Sequence, residues 1–204
     1  DTFNAQGLNH YGNDCEGDRP YSQLDGSDLL PEVLVGRISI RSETEFNVIV
    51  NKILLYEKAT YMSSLGNYYE RAAMAGDPSS SGNSCAITKE YVKETLEAHG
   101  FEDVDIKTSG SNWSGWMEDQ LEDGVLYFNY RGYLGMSGFS SSNINNANNG
   151  LMLTFATVLT CGTGSFAEDN TSTSEAFLRY GTTTNPKGAV AAVGTATWNT
   201  HTMF

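Results

Sequence analysis

Apolar and polar positions run in blocks along this chain, and each block predicts an element. Glu32-Val-Leu-Val-Gly-Arg-Ile-Ser-Ile40 is an apolar run bounded by Pro31 and Ser42, which predicts a strand. Ser42 and Glu45 have the spacing of a capping box, and Phe46, Ile49, Val50, Ile53 and Leu54 then recur at helical period, predicting a helix with one buried stripe. Arg71–Ala75 predicts a short strand running into the turn Gly76–Ser84. Thr88 is then placed as the cap of a helix that shares Tyr91, Val92, Thr95 and Leu96 on one face and stops at Gly100. Val104–Lys107 predicts a weak strand, and Trp113–Leu121 a short helix. Val125–Tyr130 and Leu151–Thr160 predict strands apolar on both faces, as in a covered parallel sheet. Ser137–Gly150 is a Ser/Asn-rich loop with room for one helical turn, Thr173–Tyr180 a helix, and Gly188–Gly194 a final strand of small residues. Alternation of strand and helix predicts an α/β fold with a mostly parallel sheet and helices on both faces. Residues 1–28 show no lasting period and are expected as an N-terminal arm or loop; residues 29–204 form one domain.

Composition narrows the function classes. With 12 Lys and Arg against 25 Asp and Glu, the net charge of −13 repels phosphate backbones and argues against a nucleic-acid partner. No apolar run reaches the ~18–20 residues that cross a bilayer. The N-terminal Asp-Thr-Phe-Asn carries no basic or apolar leader pattern, which predicts no signal peptide here. The three cysteines, Cys15, Cys85 and Cys161, have no metal-binding or redox spacing. Acidic loops such as Asp14–Asp18 could hold Ca²⁺, but no EF-hand spacing is present and solvated charge is the preferred reading. No cofactor or catalytic metal is expected.

Ligands of open parallel sheets bind beyond the carboxyl ends of the strands. Three segments predicted to sit there do not read as packing residues: Gly76-Asp77-Pro78, Arg131-Gly-Tyr-Leu-Gly-Met-Ser-Gly-Phe139 and Thr160-Cys-Gly-Thr-Gly-Ser-Phe166. The last puts a thiol at a strand tip, followed by glycines that free the backbone to aim N–H groups inward. That suits a nucleophile beside an oxyanion site. A buried, inert cysteine would have the same placement.

Four segments bear a family resemblance. Leu29-Leu-Pro-Glu-Val-Leu-Val-Gly-Arg37, Phe128-Asn-Tyr-Arg-Gly-Tyr133, Thr160-Cys-Gly-Thr-Gly-Ser-Phe166 and Gly188-Ala-Val-Ala-Ala-Val-Gly-Thr195 resemble, in order, conserved-order segments of the gingipain (C25) cysteine peptidases. The resemblance implies a three-layer caspase/gingipain-like fold, here expected to be C-terminally incomplete, and an extracellular or cell-surface cysteine endopeptidase acting on peptides or proteins. It implies Cys161 as nucleophile, Asp77 at or beside the acidic residue that orients the base, and the backbone N–H groups of Leu134 and Cys161 as oxyanion donors. It puts Tyr133 where the family has its catalytic histidine. A phenol of pKa near ~10 is a poor proton acceptor at neutral pH.

Three readings of Tyr133 remain open: a pseudo-peptidase that binds without cleaving, in an extracellular assembly or beside flanking domains; a base recruited from His201; or a Cys161 thiolate favoured by Arg131 or a helix N-terminus. His10 and His99 are expected as surface residues. Cys85, Gly162 and Trp198 are implied along the substrate groove, and a cysteine at the position of an acidic anchor removes the expectation of a strong arginine preference. A Cys15–Cys85 disulfide is expected, leaving Cys161 free. The sequons at Asn112 and Asn170 carry little weight.

Overall fold

The computed structural model describes residues 2–3, 15–16, 18, 21–26, 30–58, 64–167 and 170–196. Thr2–Phe3 (β1) pairs antiparallel with Cys15–Glu16 (β2). The domain then runs α1 (Glu43–Lys58), a 3-10 turn (Tyr68–Glu70), β3 (Arg71–Gly76), α2 (Pro78–Ser81), α3 (Ser84–Ala98), β4 (Asp103–Lys107), α4 (Trp113–Asp123), β5 (Tyr127–Arg131), α5 (Ser141–Asn146), β6 (Thr154–Leu159), α6 (Thr173–Arg179) and β7 (Ala189–Gly194). β3 to β7 form one sheet of order β4-β3-β5-β6-β7, with every pairing parallel. Each parallel connection needs a crossover, and the helices α3, α4, α5 and α6 supply one apiece.

Alternation along the strands assigns the two faces. Ala73, Ala75, Phe128, Tyr130, Ala156, Val158 and Ala189 point into the larger core, where Met117 and Leu121 of α4, Ile144 of α5 and Phe177 of α6 cover them. On the other face Ala72, Met74 and Val104 pack beneath Val92 and Leu96 of α3. The α/β class with helices on both faces is therefore as expected, and the sheet is wholly rather than mostly parallel. The expectation that the central strands are covered throughout is corrected. Among the described residues α3 spans only the β3–β4 half of its face, so Tyr127, Phe155, Leu159 and Val193 stay exposed.

Three further expectations are corrected. Residues 32–40 join no sheet, and Leu34 is 99% exposed. Alternation reports fit to a pleated surface, not the presence of a partner strand. This segment is instead held by side chains: Arg37 pairs with Asp18 and lies over the Phe166 ring, and Ser39 Oγ donates to Glu175 Oε1 at 2.5 Å. Secondly, only half of the capping box of α1 forms: Glu45 N donates to Ser42 Oγ at 3.2 Å, but the Glu45 carboxylate accepts from Arg41 N at 2.6 Å, one residue before the cap, instead of from Ser42 N. The buried stripe behind it is Val48, Ile49 and Lys52, while Phe46 and Leu54 face outward. Thirdly, α3 begins at Ser84, not at Thr88. Asp77 caps α2 with Pro78 at its first position, Gly82 ends that turn, and the chain re-enters helix at once. Thr88 thus lies inside α3, its hydroxyl donating back to Ser84 O at 2.6 Å, and Cys85, Ala86 and Lys89 rather than Tyr91 and Thr95 turn inward. Gly100 stops the helix as expected, at φ 96°.

Candidate active site

From β3 the chain crosses to β4 on one side and, through α4, to β5 on the other. This reversal of strand order makes β3/β5 the switch point where the sheet opens a crevice at its carboxyl end. Asp77 N donates to Arg131 O at 3.0 Å across that point. Arg131 is in register with Leu159 of β6, and Cys161 follows two residues later. Adjacent strands therefore deliver Asp77, the 132–138 loop and Cys161 to one edge of the sheet.

The turn after β6 is pinned from below. Thr163 is buried, and its hydroxyl donates to Thr160 O at 2.8 Å, while Gly162 takes φ 72°. Gly164 N donates to Thr195 O at 3.0 Å and Ser165 Oγ to Ala196 O at 2.7 Å, tying the turn to the end of β7. A side chain at Gly164 would meet the Gly194 backbone at 2.7 Å, so only glycine allows this approach. Cys161 at the head of the turn is mostly enclosed yet keeps 9% of its surface.

The loop after β5 leaves the sheet through Gly132 and returns at Phe139. Tyr133 is 55% and Leu134 48% exposed, whereas Met136 and Phe139 anchor the loop in the core. Leu134 and Ser137 take φ of 32° and 50°, a left-handed backbone that non-glycine residues adopt only under constraint. Beneath the loop, Tyr130 OH and Ser137 Oγ lie 2.7 Å apart, and Ser137 Oγ donates to Asp77 Oδ2. Asp77 Oδ1 accepts from Ser79 N at 2.9 Å and Ser79 Oγ at 2.5 Å. Burial alone would raise the Asp77 carboxyl, but the bonds from Ser137 and Ser79 outweigh it and hold the group below its usual range. Burial pushes the Tyr130 phenol up to about 12, against the opposing pull of Ser137.

On the α3 side, Arg131 and Lys89 are both buried cations. Arg131 Nη1 donates to Thr88 Oγ1 at 2.7 Å, and Lys89 Nζ donates to Asn129 Oδ1. Burial, then the nearby Arg131 charge, lowers Lys89 to about 8. The sequence reading included Ser137 in the 131–139 segment without a role for it, and missed Tyr130, Lys89 and Thr88 as site neighbours. The only signal was the glycine density on either side of Ser137.

Two expectations do not survive as drawn. Cys85 is a free thiol, so the expected Cys15–Cys85 disulfide is not formed. It is also fully enclosed, at 0%, under the end of β3, and cannot line a groove; a side chain at Gly76 would meet its carbonyl at 2.6 Å. Of the histidines, His99 lies at the far end of α3, while His10 and His201, with Trp198, fall outside the described residues. Residues 14 and 17 of the acidic loop at 14–18 also lie outside them, and no group of three metal-ligating side chains occurs among the described residues. No helix among them is long and apolar enough to cross a membrane.

A carboxylate, a glycine-rich loop and a cysteine thus stand beyond the carboxyl ends of three neighbouring strands, β3, β5 and β6, of one parallel sheet. The profile of Peptidase family C25 matches residues 5–203, and the chain belongs to that family. No curated protein matches it significantly. Among solved structures it is similar to the Arg-specific cysteine proteinase gingipain R, at 21% identity and a TM-score of 0.77 over 87% of this chain and 43% of that one. It is similar also to the complex of Porphyromonas gingivalis RgpB pro- and mature domains, at 21% identity and 0.78 over 90% and 45%. A structure described as a protease matches at 27% identity and 0.73 over 86% and 39%. The chain thus spans less than half the length of the structures it resembles.

Proposed function

We propose that this C25 domain hydrolyses peptide bonds through Cys161. The observation that carries the proposal is the convergence of Asp77, the 132–138 loop and Cys161 on one sheet edge, with Cys161 keeping 9% of its surface. In this reading the Cys161 sulfur attacks the scissile carbonyl. The backbone N–H groups of Leu134 and Cys161 hold the developing oxyanion. The departing amine takes up a proton, the enzyme is left as a thioester, and water then releases the acid and restores the thiol. Because Tyr133 stands where the resemblance puts the base, His201 or a water carries the proton. The full protein is proposed to work outside the cell or at its surface, on protein substrates.

The test is exposure of the purified domain to a peptide library with mass-spectrometric detection of cleavage. Cleavage that Cys161→Ala abolishes supports the reading. The half-exposed Tyr133 favours a second one, a binding module that holds extended peptide without cutting it. Saturable peptide binding that survives Cys161→Ala, with no cleavage by the unmodified domain, would establish that alternative and end the first.

A further inference from the structure

We propose that Ser137 is a positioning residue, the strut that fixes the 132–138 loop, and that Asp77 acts through Ser137. The catalytic part of this inference rests on the peptidase reading above; the structural part does not. Ser137 holds a left-handed backbone at φ 50°, and its hydroxyl sits between Asp77 Oδ2 and the Tyr130 hydroxyl. Its neighbours Met136 and Phe139 bridge each other and are buried, so the hydroxyl is the polar fastening of a loop otherwise held by packing. The fastening lies directly under the exposed limb: a side chain at Gly132 would meet Tyr130 Oη at 2.2 Å, placing that hydroxyl against the backbone that leads into Tyr133 and Leu134.

Asp77 is turned away from any role at the loop surface. One oxygen accepts two bonds from Ser79, and the other accepts from Ser137. The carboxylate therefore orients Ser137, Ser137 orients the loop, and the loop sets the direction of the Leu134 N–H. Tyr130, wholly buried, supplies the second partner and fixes the hydroxyl against rotation. Removing the Ser137 hydroxyl leaves both partners without it and lets residues 132–138 relax.

The test is amide hydrogen exchange with steady-state kinetics on Ser137→Ala, Ser137→Gly, Asp77→Asn and the Ser137→Ala/Asp77→Asn pair. Ser137→Gly keeps the backbone free to adopt positive φ, so it guards against a fold lost to strain. Exchange of residues 132–138 is expected to quicken roughly tenfold or more in both Ser137 variants, with β5 and β6 unchanged. The double variant should resemble the singles, because one path is cut twice. If the domain cleaves peptides, kcat should fall roughly tenfold with KM held, while iodoacetamide labels Cys161 at the unmodified rate. Loop exchange and kcat both unmoved in Ser137→Gly would overturn the strut while leaving the peptidase reading intact. Faster loop exchange in a domain that never cleaves would uphold the strut and end the peptidase reading.

Discussion

Tyr130 joins packing to chemistry within one side chain: its ring belongs to the main core, and its hydroxyl belongs to the polar fastening of the site loop. Gly132 lies against that hydroxyl, and the ring cannot swing aside without leaving the core. Gly132→Ala should therefore destabilise the domain by about 1–3 kcal/mol, the usual cost of forcing atoms into a filled interior, as read from urea unfolding. A loss below about 0.5 kcal/mol would mean that the loop lifts without resistance. Tyr133, one residue on, is in the opposite situation. Its side chain is exposed, so Tyr133→His should leave stability within about 0.5 kcal/mol. If the loop and Cys161 face one another as proposed, the imidazole should extend Cys161 alkylation to lower pH and raise cleavage. Alkylation that keeps the same pH profile would show that residue 133 does not reach the thiol.

At the scale of elements, α1 and α6 meet through a buried cation. Lys52 is 1% exposed and donates to Phe177 O at 3.2 Å and Leu178 O at 2.8 Å, satisfying carbonyls that the last turn of α6 leaves open. Burial lowers its ammonium to about 7, against about 10.4 in an unfolded chain. A lysine whose folded value lies below its unfolded one carries fewer protons when folded, so this group makes stability rise with pH between those two values. Compared with Lys52→Met, the unmodified domain should gain stability from pH 7 to pH 9, by at most about 1.4 kcal/mol per pH unit. Lys89, also depressed, is common to both proteins and cancels. Parallel stability curves for the two proteins would refute the lowering of the Lys52 ammonium by burial.

The same element shows why sequence is only partly readable. The start of α1, with Glu45 N on Ser42 Oγ, is a local pattern and was legible from Ser42 and Glu45, as were β3, β5, β6, β7 and α6. Which stripe turns inward depends on what α1 meets, and hydropathy hides a lysine there. Residues 32–40 have strand chemistry without a strand partner, and Thr88 has cap chemistry inside a helix, because each depends on distant chain. At the site, the three segments beyond the strand ends were legible. The Ser137 contacts were not, since they join positions 60 and 7 residues apart.

Across the whole molecule, charge is distributed less evenly than its sum suggests. Of 12 Lys and Arg, Lys52, Lys89, Arg131 and Arg179 are buried, while among buried acidic residues of the described chain only Glu175 joins them. The interior has taken up cations, so the surface is more acidic than the net −13 implies. Folding brings those surface carboxylates together, and their mutual repulsion opposes the compact state. Salt screens such repulsion: the Debye length shortens from about 30 Å at 0.01 M to about 8 Å at 0.15 M, near or below the spacing of surface charges. Surface ion pairs, which salt would weaken, are worth little individually, and the pairs Arg37–Asp18 and Lys93–Glu97 are partly exposed. Repulsion should therefore win, and Tm should rise by a few degrees on going from 0.01 M to 0.15 M NaCl at pH 7.5, about 2–4 °C for each kcal/mol gained in a chain of this size. A Tm that falls over that range would mean that attractive pairs dominate the surface, and that the acidic excess lies too dispersed to act on the fold.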